Sequence, residues 1–201
     1  LESVTGGENK ARYSIIGMRP DLIWESTTDG CRVAETFQKS NAPIFRELNN
    51  NPLKELKDTI DRCKIDIPLE LPPMMAGLFG YVSYDVIRLI ENLPDINKDV
   101  LGVPDIRLIR PTVLIVLDSI KNELIVASPA WTNDKKSIEK IYKNSVKLIE
   151  EIVVQVALPR KKAKAQKKPN DYLGKPVSNF TKNAYLNIVN KAKNYIKSGD
   201  I

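Results

Sequence analysis

Apolar and polar residues alternate over short runs in the first part of the chain, as is typical of β-strands. Residues 12–18 and 22–26 are rich in β-branched and aromatic side chains, and residues 31–35 continue the pattern after Thr28-Asp29-Gly30. Such side chains favour strands, and an Asp-Gly pair favours a tight turn. We therefore predict three short antiparallel strands joined as a meander.

Apolar residues three or four positions apart predict three helices further along the chain. Asn51 is the predicted N-cap of the first helix, because asparagine accepts backbone hydrogen bonds there and Pro52 suits the first helical position. Asp134 is the predicted N-cap of a long second helix. Thr181 begins the third helix, and Gly199 follows its end, where glycine is favoured.

Further strands are predicted between the first two helices, at residues 106–109, 112–117 and 123–127, together with a short helix at residues 85–92. Strands grouped along the sequence, with helices packed on them, indicate the α+β class. The predicted fold is therefore built of antiparallel β-sheets with packed helices.

The stretch of residues 71–88 combines two glycines with bulky aromatic side chains. Gly77 and Gly80 flank Leu78-Phe79, and Tyr81 and Tyr84 follow. A glycine inside a strand marks a place where another chain segment approaches closely, and apolar runs of this length favour the core. We predict a buried strand here, with a second segment lying close to its backbone.

Composition excludes several classes of chemistry. The 201 residues include no histidine and two cysteines, Cys31 and Cys63, which are far apart in the sequence. A zinc site is therefore not predicted, a Ser-His or Cys-His catalytic arrangement is excluded, and both thiols are expected to be reduced. No run of residues is long and apolar enough to predict a membrane span, and a secretory leader is not expected, because no basic segment followed by an apolar one opens the sequence.

The net charge of +6 comes from one segment. Six basic residues and no acidic residue lie at positions 160–168, so the rest of the chain is neutral and a nucleic-acid partner is not predicted. This segment belongs to a predicted Pro/Lys-rich linker at 157–178, between a domain at 1–156 and a further helix at 179–201. The chain begins with leucine and stops just after that helix, so we expect a longer protein.

Four motifs occur together in a characteristic order: L-E-S at the start, R-Y-S-I-I-G, L-P-P-M-M-A-G-L-F-G-Y-V-S-Y-D, and S-N-F-T-K-N-A-Y. With them the chain resembles the N-terminal part of the anthranilate synthase component I family of chorismate-utilising enzymes. The L-E-S opening and the motif at Gly77–Asp85 favour this family over aminodeoxychorismate synthase component I, which is the alternative.

The resemblance implies a lyase of tryptophan biosynthesis in the cytoplasm. Such enzymes convert chorismate and ammonia to anthranilate and pyruvate, with magnesium at the active site and ammonia supplied by a glutamine amidotransferase subunit. The family's catalytic and magnesium-binding residues lie in a chorismate-binding part that begins near Asn179, of which residues 179–201 are the first helix. The catalytic residues are therefore expected C-terminal to Ile201. None is carried over, and these 201 residues alone are expected to be inactive.

The resemblance also implies part of the site at which tryptophan inhibits the enzyme by feedback. Carried over, this site includes Glu2 and Ser3, and more loosely Arg12. An amino acid needs an acceptor for its ammonium group, donors for its carboxylate and an apolar slot, roles that Glu2, Ser3 and Arg12 suit. Four apolar residues are candidates for the slot: Met74, Met75, Leu78 and Phe79.

Alternatives without a role in ligand binding stay open for these residues. Arg12 is also expected to be a structurally paired or solvated arginine, and the methionine pair to fill the core. For the chain as a whole, a non-enzymatic amino-acid-binding module and a nucleic-acid-binding protein are the alternatives from other classes.

Overall fold

A computed structural model describes residues 12–27, 30–37, 42–96, 98–132, 137–159 and 177–201 of the chain. The chain divides into two compact units, residues 1–158 and 159–201. The basic segment at 160–168 lies outside the described residues, and the predicted domain limits at 156 and 178 stay predictions.

Among the described residues, the first unit contains six strands and two α-helices. The strands are β1 (Tyr13–Thr27), β2 (Gly30–Phe37), β3 (Pro43–Leu48), β4 (Phe79–Val82), β5 (Ile106–Asp118) and β6 (Glu123–Ala127); the helices are α1 (Pro52–Arg62) and α2 (Ile138–Ala157). A 3-10 helix, Tyr84–Leu89, follows β4 and is shorter than the helix predicted at 85–92. The second unit contains the helix α3 (Lys182–Ser198).

The six strands form one antiparallel sheet in the order β3-β2-β1-β5-β4, and β6 pairs with the far part of β5. The predicted α+β fold, an antiparallel sheet with packed helices, is confirmed. None of the helices in the described ranges is long and apolar enough to cross a membrane.

The two longest strands are each continuous where two short strands were predicted. β1 joins the segments predicted at 12–18 and 22–26, and β5 joins those predicted at 106–109 and 112–117. The β1–β5 register shifts between Pro20 and Leu22, Pro20 lies opposite Pro111, and Arg19 has a φ of 51°. Because proline has no N–H to donate to a ladder, the strands are locally distorted there but not ended, which the sequence pattern could not distinguish.

Buried apolar residues form a cluster on each side of this irregularity. One consists of Leu22, Trp24, Cys31, Val33 and Ile106, against which Leu56 of α1 and Leu78 pack. The other joins Val113 and Ile115 of β5 to Ile152 of α2, with Met18, Val126 and Leu148 packed around them. Both cysteines are free, as expected, and both are buried.

Arg110 of β5 joins several elements beside the irregularity. It binds Asp21 of β1 at 2.7 Å, donates to the Cys63 thiol at the end of α1 and stacks at 4.7 Å on the ring of Trp131. One side chain therefore connects β1, β5, α1 and the segment after β6. The first unit is held together at this point by a polar contact as well as by its apolar clusters.

The predicted N-caps of α1 and α3, and the glycine predicted after α3, are confirmed. Asn51 Oδ1 accepts a hydrogen bond from the backbone N–H of Leu53 at 2.9 Å, and Thr181 Oγ1 accepts one from Ala184 N–H at 3.2 Å. Gly199 follows α3 with a φ of 77°, which a residue with a Cβ rarely adopts. The prediction for α2 was wrong: its N-cap is Ser137, another residue type that favours this position, and Asp134 lies outside the described residues.

The prediction of a core strand in residues 71–88 was also wrong, because β4 lies at the edge of the sheet. In the described part of the chain β4 pairs with β5 alone, and Tyr81 and Val82 are 42% and 58% exposed. The predicted close approach is confirmed, since a Cβ on Gly80 would overlap the backbone carbonyl of Arg107. Glycine is therefore needed at this position for β4 to pair with β5.

We expect Gly80→Ala to destabilise the chain by about 1–3 kcal/mol, the usual cost of forcing extra volume into packed structure. Val82→Thr on the same strand is the matched control, because Val82 is exposed and threonine keeps the β-branched shape; it should change the free energy of unfolding by less than about 0.5 kcal/mol. Urea unfolding of both variants measures the difference. Equal effects of the two substitutions would contradict the close approach at Gly80.

Candidate functional site

The predicted inhibitor contacts fall at the start of the chain. Glu2 and Ser3 lie outside the described residues, and so their positions stay predictions. Arg12 is the first described residue, directly before β1. The geometry of the candidate site is therefore built from Arg12 and its neighbours.

The predicted catalytic residues fall at the other end, C-terminal to Ile201. Ile201 is the last residue of this sequence; it follows α3 in the second unit, and its side chain is 77% exposed. Residues after it are expected only from the resemblance, so their place and their identity stay predictions. The geometry that can be described is therefore that of Arg12 and its surroundings.

Arg12 forms a close ion pair with Asp118 at the last position of β5. Its Nε lies 3.0 Å from both carboxylate oxygens, and its Nη2 lies 2.6 Å from Oδ2. The Arg12 side chain is 34% exposed, whereas the Asp118 side chain is 1% exposed. The guanidinium carbon also lies 4.8 Å from the centroid of the Tyr13 ring. The expectation that Arg12 has a structural partner is correct, and its contact with an inhibitor stays a prediction.

The backbone of Arg12 is held as firmly as its side chain. Its carbonyl oxygen accepts hydrogen bonds from the backbone N–H and from the hydroxyl of Ser119, both at 2.9 Å. Asp118 Oδ1 in turn accepts the backbone N–H groups of Ile120 at 3.0 Å and Lys121 at 3.2 Å. One carboxylate therefore shapes the β5–β6 turn and fixes the start of β1 at the same time.

These contacts set the charge of the pair. The hydrogen bond from Arg12, aided by the two backbone N–H groups of the turn, lowers the pKa of Asp118 to about 2. The same hydrogen bond raises the pKa of Arg12. Both groups therefore stay charged at neutral pH. A partly exposed guanidinium that is fixed in place is a suitable donor for a ligand carboxylate.

The apolar residues proposed for the inhibitor slot are mostly part of the packing. Met75 is 3% exposed, and Leu78 packs against the cluster around Trp24. Met74 and Phe79 are half-buried. The alternative that the methionines fill the core therefore holds for Met75.

Sequence reasoning missed a second buried carboxylate, Glu25 on β1. Its side chain is 2% exposed and binds Arg32 on β2 at 2.7 Å and Arg107 on β5 at 2.9 Å. Each arginine lies directly opposite Glu25 in the sheet register. No local spacing signals such a triad, because its members come from three separate strands.

A cavity of about 250 Å³ lies beside this triad. It is lined by Glu25, Thr27, Gly30, Cys31, Arg32 and Glu47. Burial raises the pKa of the Cys31 thiol, so this cysteine is a poor nucleophile. One oxygen of Glu25 accepts two N–H groups of Arg32, and the other lies 2.9 Å from Nη1 of Arg107, which favours a structural role for the triad.

Asp118→Asn is expected to make the free energy of unfolding depend less steeply on pH in the acid range. A carboxyl pKa lowered from 3.8 to about 2 by folding stabilises the native state above pH 4, and this contribution is lost as the pH falls from about 4 to about 2. The slope of the unfolding free energy against pH gives the number of protons taken up on unfolding. In the variant this number should be smaller by up to about one. Urea unfolding at several pH values measures it.

The control for this experiment is Asp58→Asn, which changes an exposed aspartate of α1 in the same way. The slope between pH 4 and pH 2 should change less in this variant than in Asp118→Asn, because the Asp58 side chain is exposed. An unchanged slope in Asp118→Asn would contradict the conclusion that the ion pair with Arg12 lowers the pKa of Asp118.

Comparison with known proteins places this fold in a family. Over its whole length the chain is 41% identical to anthranilate synthase component 1 of Cereibacter sphaeroides and 33% identical to that of Acetivibrio thermocellus. In each case it spans 40% of the relative's own length. The relatives are therefore about two and a half times as long as this chain.

A solved structure shares the fold. Anthranilate synthase component I from Streptococcus pneumoniae matches 98% of this chain with a TM-score of 0.61 and 22% sequence identity, over 41% of its own chain. The family model described as chorismate binding enzyme matches residues 19–201, which is most of the sequence. The chain therefore belongs to the family of chorismate binding enzymes, as its motifs predicted.

Proposed function

We propose that this chain is part of an anthranilate synthase component I. The observation that carries the proposal is the 41% identity, over the whole chain, to a relative of that name. Such an enzyme aminates chorismate with ammonia and then eliminates pyruvate to leave anthranilate, a carbon–oxygen lyase reaction of tryptophan biosynthesis. The proposed setting is the cytoplasm, and the proposed source of ammonia is a glutamine amidotransferase subunit, as the term component suggests.

The chemistry itself is assigned to residues C-terminal to Ile201. The described residues bring no group of three or more cysteine, aspartate or glutamate side chains together as a metal site, and we derive no catalytic step from them. Magnesium, which would stabilise negative charge on the substrate, is proposed to bind to the remaining part of the longer polypeptide. The role of the 201 residues is then structural and regulatory.

The regulatory role proposed is to form part of a site for tryptophan. Glu2 would accept the ammonium group, and Ser3 and Arg12 would donate to the carboxylate. Support comes from Arg12, whose guanidinium is charged, fixed by Asp118 and still one-third exposed. A ligand that also contacts another part of the polypeptide would favour one arrangement of the two parts over others, and so change activity at a distance.

Two polypeptides test the assignment of activity. A protein of the relatives' full length should form fluorescent anthranilate from chorismate, ammonium and magnesium, and the 201 residues alone should form none. Product analysis separates the alternatives, because aminodeoxychorismate retains the pyruvyl group that anthranilate has lost. Anthranilate formation by the 201 residues alone would contradict the assignment of catalysis to the remainder.

Ser3→Ala tests the control site in the full-length protein. Loss of a hydrogen bond to a charged carboxylate should raise the tryptophan concentration for half-inhibition about tenfold, with turnover nearly intact. Ser14→Ala on β1 is a control that also removes one hydroxyl. Inhibition by tryptophan that is unchanged in Ser3→Ala would refute the assignment of Ser3.

A further inference from the structure

Arg12 is fixed at two points by one dipeptide, Asp118-Ser119, that lies more than a hundred residues further along the chain. Asp118 binds the guanidinium, and Ser119 binds the backbone carbonyl of the same residue through both its N–H and its hydroxyl. An isolated surface ion pair would leave a long side chain free to change rotamer. Here the backbone and the far end of the side chain are both held, which restricts the guanidinium to one orientation.

The bonds to Asp118 use one edge of the guanidinium. They involve Nε and Nη2, so Nη1 takes no part in the pair. A guanidinium carries five N–H groups in a planar fork, and its second edge, formed by Nη1 and Nη2, can bind another carboxylate in the same plane. Since the side chain is 34% exposed, solvent reaches part of this group.

Asp118 is not itself available to a ligand. Its side chain is 1% exposed, and its two oxygens already accept N–H groups from Arg12, Ile120 and Lys121. An ammonium group therefore finds no free lone pair there without breaking the turn. Any effect of Asp118 on binding must pass through the position of Arg12.

We propose that Asp118 is a positioning residue of the amino-acid control site, which orients Arg12 so that the outer edge of its guanidinium binds the α-carboxylate of the inhibitor. This inference rests on the proposed function and names a residue that the sequence motifs did not include. The benefit is preorganisation: the side chain is already ordered, so that binding does not have to order it.

The test is inhibition by tryptophan in the full-length protein. Asp118→Asn replaces one acceptor oxygen by an N–H donor that faces other donors, which releases the guanidinium. The tryptophan concentration for half-inhibition should rise about tenfold, the cost of one charge-assisted hydrogen bond. Asp118→Glu keeps the charge but moves it by one methylene, and it should also weaken inhibition.

A double-mutant cycle separates positioning from a general loss of stability. Arg12→Lys keeps a positive charge but lacks the second edge, so it should weaken inhibition as well, and Asp118→Asn should add little in the Arg12→Lys background. The matched control is Asp21→Asn, because Asp21 forms the same kind of pair with Arg110 on the same two strands, at 2.7 Å. Its half-inhibition concentration should equal that of the unmodified protein.

The outcomes distinguish this inference from the proposed function. If the unmodified protein is not inhibited by tryptophan, the control site and this inference both fail. If Arg12→Lys weakens inhibition but both Asp118 variants behave as unmodified protein, only the positioning role fails. A shift in Asp21→Asn as large as in Asp118→Asn, or additive effects of Arg12→Lys and Asp118→Asn, would also overturn it.

Discussion

The pairing of β1 with β5 is the constraint on which the rest of the first unit depends. These strands, Tyr13–Thr27 and Ile106–Asp118, are the longest in the sheet, and every other strand is attached to one of them directly or through a neighbour. β2 and β3 extend the sheet from β1, while β4 and β6 share β5. The 78 residues from 28 to 105 separate the two strands along the chain, so their association is a costly long-range step in folding.

Charged pairs between these strands define their register. Arg12 binds Asp118 at one end, Asp21 binds Arg110 in the middle, and Glu25 binds Arg107 towards the other end. The charge changes from positive at Arg12, just before β1, to negative at Asp21 and Glu25 within it, and β5 carries the complementary order. A slip of the register would separate these charges and would also turn buried apolar side chains to the opposite face. The pairs therefore contribute to specificity in addition to any net stabilisation.

The sequence predicted the elements better than their arrangement. Helix ends at Asn51 and Thr181 follow from local chemistry, because the capping atoms and the N–H groups they bind are two or three residues apart. The continuity of β1 and β5 was missed because Pro20 and Pro111, which indicate breaks when considered singly, lie opposite each other in one irregular ladder. The edge position of β4 depends on which strands pair with β5 on each side, and no local sequence pattern predicts this pairing.

The same limit applies to the candidate site. Arg12 was proposed from the resemblance alone, and Asp118 lies outside all four motifs that carry the resemblance. Their pairing over 106 residues depends on the β1–β5 register, which the sequence pattern did not contain. Once that register is known, the turn and the start of the first strand become one structural unit. A ligand bound there would act on the ends of the two strands from which the sheet is built.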